Sequence, residues 1–153
     1  MLAVGPNNRI HLAWADKSSG TWDIYYAYSA DGGVTFSKPA PVDSKATGAA
    51  RGYPALALGP NGRMHIAWED KRNGNWDIYC AHSDNGETFS SPVQLNDDET
   101  RFDQARPALA VGRDGGVHLA WQDNRNGDWD IYYARSTDGG DSFAANLRID
   151  QEA

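Results

Sequence analysis

HIAWEDKRNGNWDIYCAHSDNGETF, residues His65–Phe89, decides how this chain is read. It occurs three times with small changes. The first copy is His11–Phe36, HLAWADKSSGTWDIYYAYSADGGVTF, and the third is His118–Phe143, HLAWQDNRNGDWDIYYARSTDGGDSF. His11, His65 and His118 recur about 53 residues apart, a period that marks solenoids, propellers or arrays. Each copy reads as a set of short strands, because Trp, Tyr, Ile and Val crowd the runs and Gly, Asn, Asp and Pro crowd the gaps.

Four strands are predicted per copy. The first covers Leu2–Val4, Ala55–Leu58 and Ala108–Val111. The second covers Ile10–Trp14, Met64–Trp68 and Val117–Trp121, and the third Trp22–Ser29, Trp76–Ser83 and Trp129–Ser136. The last covers Ala40–Val42, Val93–Leu95 and Leu147–Ile149. No stretch has helical periodicity. The polar connectors are long enough to carry the chain from an outer strand to the inner strand of the next unit, which predicts the radial design of a β-propeller. The units are residues 1–43 for blade one, 44–96 for a connector and blade two, and 97–153 for a connector and blade three. Pro54 and Pro107 stand just before the predicted inner strands, where a missing N–H is tolerated.

Bulk properties fit an ordered all-β chain. The 153 residues are 40% hydrophobic and 11% aromatic, with six Trp at fixed places in the repeat. The net charge of −7 repels phosphate backbones and anionic lipid, so neither nucleic acid nor membrane is expected as a partner. No apolar run is long enough for a membrane span. The start, MLAVGPNNRI, lacks the basic end and apolar core of a secretion leader. Cys80 stands where the other copies have Tyr26 and Tyr133, and reads as a packing residue.

The third and fourth strands are joined by a further signal. Ser29, Asp31, Gly33, Thr35 and Phe36 form a Ser-x-Asp-x-Gly-x-Thr-Phe pattern, repeated at Ser136, Asp138, Gly140, Ser142 and Phe143. The middle copy is one residue shorter and is read as Ser83, Asp84, Gly86, Thr88 and Phe89. This pattern resembles the Asp-box, the BNR repeat of sialidase-like β-propellers. The resemblance covers nearly the whole chain. It implies that the box fastens a turn inside each blade, on the face opposite an active site, and takes no part in catalysis. It also implies an extracellular or cell-surface location.

Three blades do not close a ring. An open arc leaves an apolar blade face at each end, and stacked repeats bury such faces only against neighbours. A homodimer, giving six blades in one ring, is therefore expected.

The loop between second and third strands carries Asp70, Arg72, Asn73 and Trp76 in copy two, and Asp123, Arg125, Asn126 and Trp129 in copy three. Ser18 and Ser19 replace the Arg-Asn pair in copy one. In a propeller these loops share a face with the connectors, which adds Arg51 and Arg106. Carboxylates, guanidinium groups and indoles on one face suit glycan binding, since an aromatic ring stacks on a sugar's apolar side. The same residues also suit Asp–Arg pairing within the loops. His11, His65 and His118 are read as packing residues. No metal or cofactor site is assigned.

Sialidase resemblance brings an expectation of an arginine triad, a Tyr–Glu pair and an Asp acid. Here Arg9-Ile10 is followed by His11 where the family has Pro, and Glu69, Glu87, Glu99 and Glu152 have no evident Tyr partner. No catalytic residue is carried over. The leading reading is a non-catalytic propeller module that assembles into a ring and binds glycans on its loop face. The alternatives are a sialidase-type glycoside hydrolase or a fragment of one, and an engineered or ancestral-like half-propeller without a ligand.

Overall fold

A computed structural model describes residues 1–44 and 48–150. Connector residues 45–47 and terminal residues 151–153, with Glu152, lie outside the described residues. The fold is all-β, with three four-stranded antiparallel sheets. The first sheet holds β1 (Leu2–Val4), β2 (Ile10–Asp16), β3 (Asp23–Ser29) and β4 (Ala40–Pro41). The second holds β5 (Arg51–Leu58), β6 (Met64–Asp70), β7 (Asp77–Ser83) and β8 (Val93–Gln94). The third holds β9 (Gln104–Val111), β10 (Val117–Asp123), β11 (Asp130–Ser136) and β12 (Leu147–Arg148). Strands run in chain order across each sheet. Among the described residues no helix is long and apolar enough to cross a membrane.

The second sheet sits between the other two. Every residue of β6 is buried, because both sides of the strand are covered. Met64, Ile66 and Trp68 join Ala13, Ile24 and Tyr26 of the first sheet in one core. Ala67, Ile78 and Cys80 join Val117, Leu119 and Trp121 of the third sheet in another. The period of two along each strand thus supplies two cores from one sheet. Within each sheet a Trp lies over a Tyr of the adjacent strand, as Trp14–Tyr25, Trp68–Tyr79 and Trp121–Tyr132, with ring centres 6.3, 6.4 and 6.5 Å apart.

The inner strands are longer than the sequence pattern suggests. β5 and β9 begin at Arg51 and Gln104, upstream of the expected Ala55 and Ala108. The prolines fall inside these strands, not ahead of them. The register slips between Gly52 and Ala55, and again opposite Ala120 and Gln122. A bulge leaves residues out of the ladder, so a proline without an N–H fits there. Tyr53 and Arg106, each just before the proline, take positive φ of 47° and 53°. Such a conformation strains a residue with a side chain.

The turns after the third strands follow one plan. Ser29 Oγ donates to Asp31 Oδ1 at 2.7 Å, and the Thr35 N–H donates to the same oxygen at 2.9 Å. Ser136 and Asp138 repeat this, with Ser136 Oγ to Asp138 Oδ1 at 2.7 Å and Ser142 N–H at 3.0 Å. Gly33 and Gly140 adopt φ of 96° and 92°, which their lack of a side chain permits. The middle turn corrects the sequence reading. Asn85, not Asp84, accepts from Ser83 Oγ at 3.2 Å and from the Thr88 N–H at 3.0 Å. Asp84 instead receives Arg63 Nε at 2.7 Å. Asn85 stands two residues after Ser83, as Asp31 and Asp138 stand after Ser29 and Ser136, so the missing residue falls later in the turn. Asn85→Ala should therefore lower the urea unfolding midpoint more than Asp84→Ala, as read by circular dichroism.

Candidate functional site

One end of the sheets gathers the loops that follow the second strands together with the connectors. There Arg51, buried, donates to Asp23 at 2.8 Å, Asp43 at 3.2 Å and Asp70 at 3.0 Å. Arg72 donates to Asp43 at 2.8 Å and to Asp70, and its guanidinium lies 4.1 Å from the Tyr79 ring centre. Trp68 adds its indole N–H to Asp70 at 3.0 Å. Burial pushes the Asp70 carboxyl up, but the Arg72 and Trp68 donors outweigh it, and the pKa falls below 3.8. Hydrogen bonds and charge from Asp70 and Asp43 outweigh burial at Arg72 and raise its pKa.

The joint between second and third sheets repeats this in a different charge state. Arg125 donates to Asp97 at 2.7 Å and Asp123 at 2.8 Å, and sits 4.1 Å from the Tyr132 ring centre. Gln104 occupies the place of Arg51, and Asn96 that of Asp43. Cation and anion are thus exchanged together for neutral amides. Asn73 Nδ2 donates to Asp77 at 2.8 Å and to the Tyr79 hydroxyl at 3.1 Å, and Asn126 makes the equivalent bonds to Asp130 and Tyr132 at 2.9 and 3.1 Å.

These bonds locate the residues singled out for ligand binding. Asp70, Asp123 and Arg51 are buried, and Arg72 and Arg125 are engaged by carboxylates within the joints. Asn73 and Asn126 hold the loop to the third strand. Trp76 is half-buried, and Trp129 and Arg106 are exposed. Arg72 and Arg125 lie at different joints, so no single cluster gathers them.

Three residues outside that set stand out. A cleft of about 470 Å³ opens between the first two sheets, lined by Ala15, Trp22, Arg51, Gly52, Tyr53 and Trp76. At the next joint, Glu69 is buried and its Oε1 accepts the Arg106 backbone N–H at 2.6 Å. Burial raises the Glu69 pKa. The signal for Tyr53 and Glu69 is the difference between copies, whereas Trp22 stands where Trp76 and Trp129 do. Ala15, Glu69 and Gln122 share one position, as do Tyr53 and Arg106.

Histidines fill the strand interiors. His11 Nδ1 and His118 Nδ1 each meet a tyrosine hydroxyl, Tyr26 and Tyr133, at 2.7 Å. Cys80 replaces that tyrosine in the middle sheet, and the buried His65 Nδ1 has no hydrogen-bond partner among the described residues. Burial, with His82 beside it, lowers the His65 pKa to about 4. Burial also pushes the Cys80 thiol up to about 12, so it is neither a nucleophile nor a ready ligand at neutral pH.

The chain folds like known β-propeller glycoside hydrolases. A Hadza microbial sialidase, Hz136, superposes with a TM-score of 0.74 at 17% identity, over 93% of this chain and 35% of that one. An α-L-arabinanase of Penicillium chrysogenum, complexed with arabinobiose, gives 0.71 at 15% identity, over 97% and 49%. The family GH93 α-L-arabinofuranosidase of Fusarium graminearum gives 0.67 at 14% identity, over 93% and 45%. The chain spans about a third to a half of these structures. The three sheets are therefore propeller blades. No protein-family model and no curated protein sequence matches the chain.

Two expectations follow from the joints. Arg51→Gln removes the cation of Asp23 and leaves Arg72 alone to answer both Asp43 and Asp70, and should cost about 3 kcal/mol. Adding Asp43→Asn reproduces the amide pair of the next joint and should recover part of that loss in urea unfolding. The His65 pKa lies below 6.5, so the unfolded chain takes up this proton first. Its contribution is whole above pH 6.5 and declines toward pH 4, by about 1.4 kcal/mol per unit once His65 is charged only in the unfolded state. His65→Gln should flatten the stability-against-pH curve across that window.

Proposed function

We propose that this chain is an arc of an Asp-box propeller that closes with a second copy of itself into six blades, and that it holds carbohydrate without cleaving it. The two open ends carry this reading. At the first joint, Tyr26 of blade one meets Phe89 of blade two edge-on, with ring centres 5.6 Å apart. Phe36, the counterpart of Phe89, is exposed at one end of the arc, and Tyr133, the counterpart of Tyr26, is half-exposed at the other. Trp14 is half-buried although Trp68 and Trp121 are fully covered. The end faces thus carry the two halves of the contact made at the first joint; at the second, Cys80 stands in place of the tyrosine. Covering one such aromatic contributes about 2 kcal/mol.

The seam differs from the internal joints in one respect. Arg9 donates to the Asn85 carbonyl and Arg63 to the Gly139 carbonyl, each at 3.4 Å across a joint. Gly116 stands in that place in blade three, and Ser18 stands where Arg72 and Arg125 do. The seam is therefore held by apolar packing, without arginine clips.

The loop carboxylates support a holding role over a catalytic one. Asp70 and Asp123 are kept ionised by arginine and tryptophan donors inside the joints, away from a general acid's needs. A second reading, an arc of a longer sialidase-type hydrolase, is favoured by the greater length of the similar structures.

Light scattering should give the mass of two chains at micromolar concentration. Trp14→Arg or Phe36→Asp should give the mass of one without unfolding the blades. A stable monomer of the unaltered chain would favour the longer-hydrolase reading. Turnover of a fluorogenic sialoside or arabinofuranoside would refute the non-catalytic one.

A further inference from the structure

The two internal joints present the same backbone with different side chains. Ala15 lies opposite Ile24 as Glu69 lies opposite Ile78. Tyr53 and Arg106 share the bulge, the following proline and the positive φ. At the second joint the Glu69 arm reaches the bulge and its carboxyl oxygen accepts the Arg106 N–H at 2.6 Å. At the first joint Ala15 has no such arm, and the cleft of about 470 Å³ takes its place. The joint that holds Glu69 thus displays what an occupant of the cleft must supply: an oxygen for the N–H at the bulge, and a body to fill the space beside the indoles.

We propose that this cleft binds one neutral sugar unit, its ring laid against the indoles of Trp22 and Trp76 and one hydroxyl oxygen accepting the Tyr53 backbone N–H. The proposal deepens the carbohydrate-holding reading and rests on it. It does not rest on ring closure, since the cleft lies within one chain.

Three observations select this chemistry. The volume falls in the range of small-ligand pockets, and the walls are aromatic, which suits the C–H face of a sugar ring. The donor is fixed in direction by a strained bulge that both joints share, so little ordering is needed on binding. The occupant should be uncharged. Glu69 has the Arg106 charge nearby, and burial still raises its pKa. At the first joint tyrosine replaces that arginine, and Arg51 in the cleft wall is already bound to three carboxylates. An anion there would be desolvated against mostly apolar walls, and Lys71 beside the cleft already lies over the Trp76 ring, 5.5 Å from its centre.

The test is titration with arabinobiose, followed by tryptophan fluorescence and calorimetry, with 3′-sialyllactose as the charged counterpart. Ala15→Glu rebuilds the internal carboxyl arm. It should leave the unfolding midpoint unchanged or raised, and weaken arabinobiose by about tenfold or more. Trp22→Ala should weaken it similarly, and 3′-sialyllactose should bind more weakly than arabinobiose to the unaltered chain. Undiminished arabinobiose binding by Ala15→Glu, with loss in Arg72→Ala or Arg125→Ala, would overturn the cleft and leave the carbohydrate reading standing. Tighter binding of 3′-sialyllactose would overturn the neutral-sugar assignment. An unaltered chain that binds neither would overturn both.

Discussion

A four-stranded sheet has two apolar faces, and nothing in its own strands can cover either. Everything else in this chain answers that constraint. The middle blade meets it fully, with Trp68 on one face and Ile78 on the other both withdrawn from water. The outer blades meet it on one face each. Stability here is a property of joints, as in other stacked repeats. A blade taken alone would lose most of its core.

The joints solve a second problem, which is how to bury backbone ends and connectors where sheets converge. They do so with charge at one site and amides at the next. Arg51 answers Asp43 at the first joint, and Gln104 and Asn96 stand in those places at the second. Either set is tolerable in a dry setting because cation and anion change together. Arg72 also bonds Asp43 and Asp70, so the charged set is a network and not a single pair.

Much of this was legible in the sequence. The period, the strand pairs and the turn residues all follow from composition repeated three times, since a face that is apolar in every copy is a buried face. The inner strands were read too short because proline ordinarily ends a ladder, and only a bulge lets Pro54 and Pro107 stay inside one. Asp84 reads as the turn carboxylate because it is the acid beside Ser83, yet the offset of two residues from the serine, shared with Asp31 and Asp138, points to Asn85. The arginines were legible as a group on one face. Their internal pairing was not, since Asp43 and Asp97 come from connectors distant in sequence from Arg72 and Arg125. Arg51 and the repeated tryptophans of the cleft wall were legible, but the cleft itself was not, because it opens where Ala15 breaks the pattern.

The unequal arginines give the blades an address. Arg9 and Arg63 each reach forward to a specific carbonyl, and Gly116 does not. Near-identical repeats in one chain invite shuffled neighbours while the polypeptide is still finding its fold. A donor aimed at the turn of the next blade ties each of the first two units to its successor, and the third, with Gly116 in that place, carries no such clip.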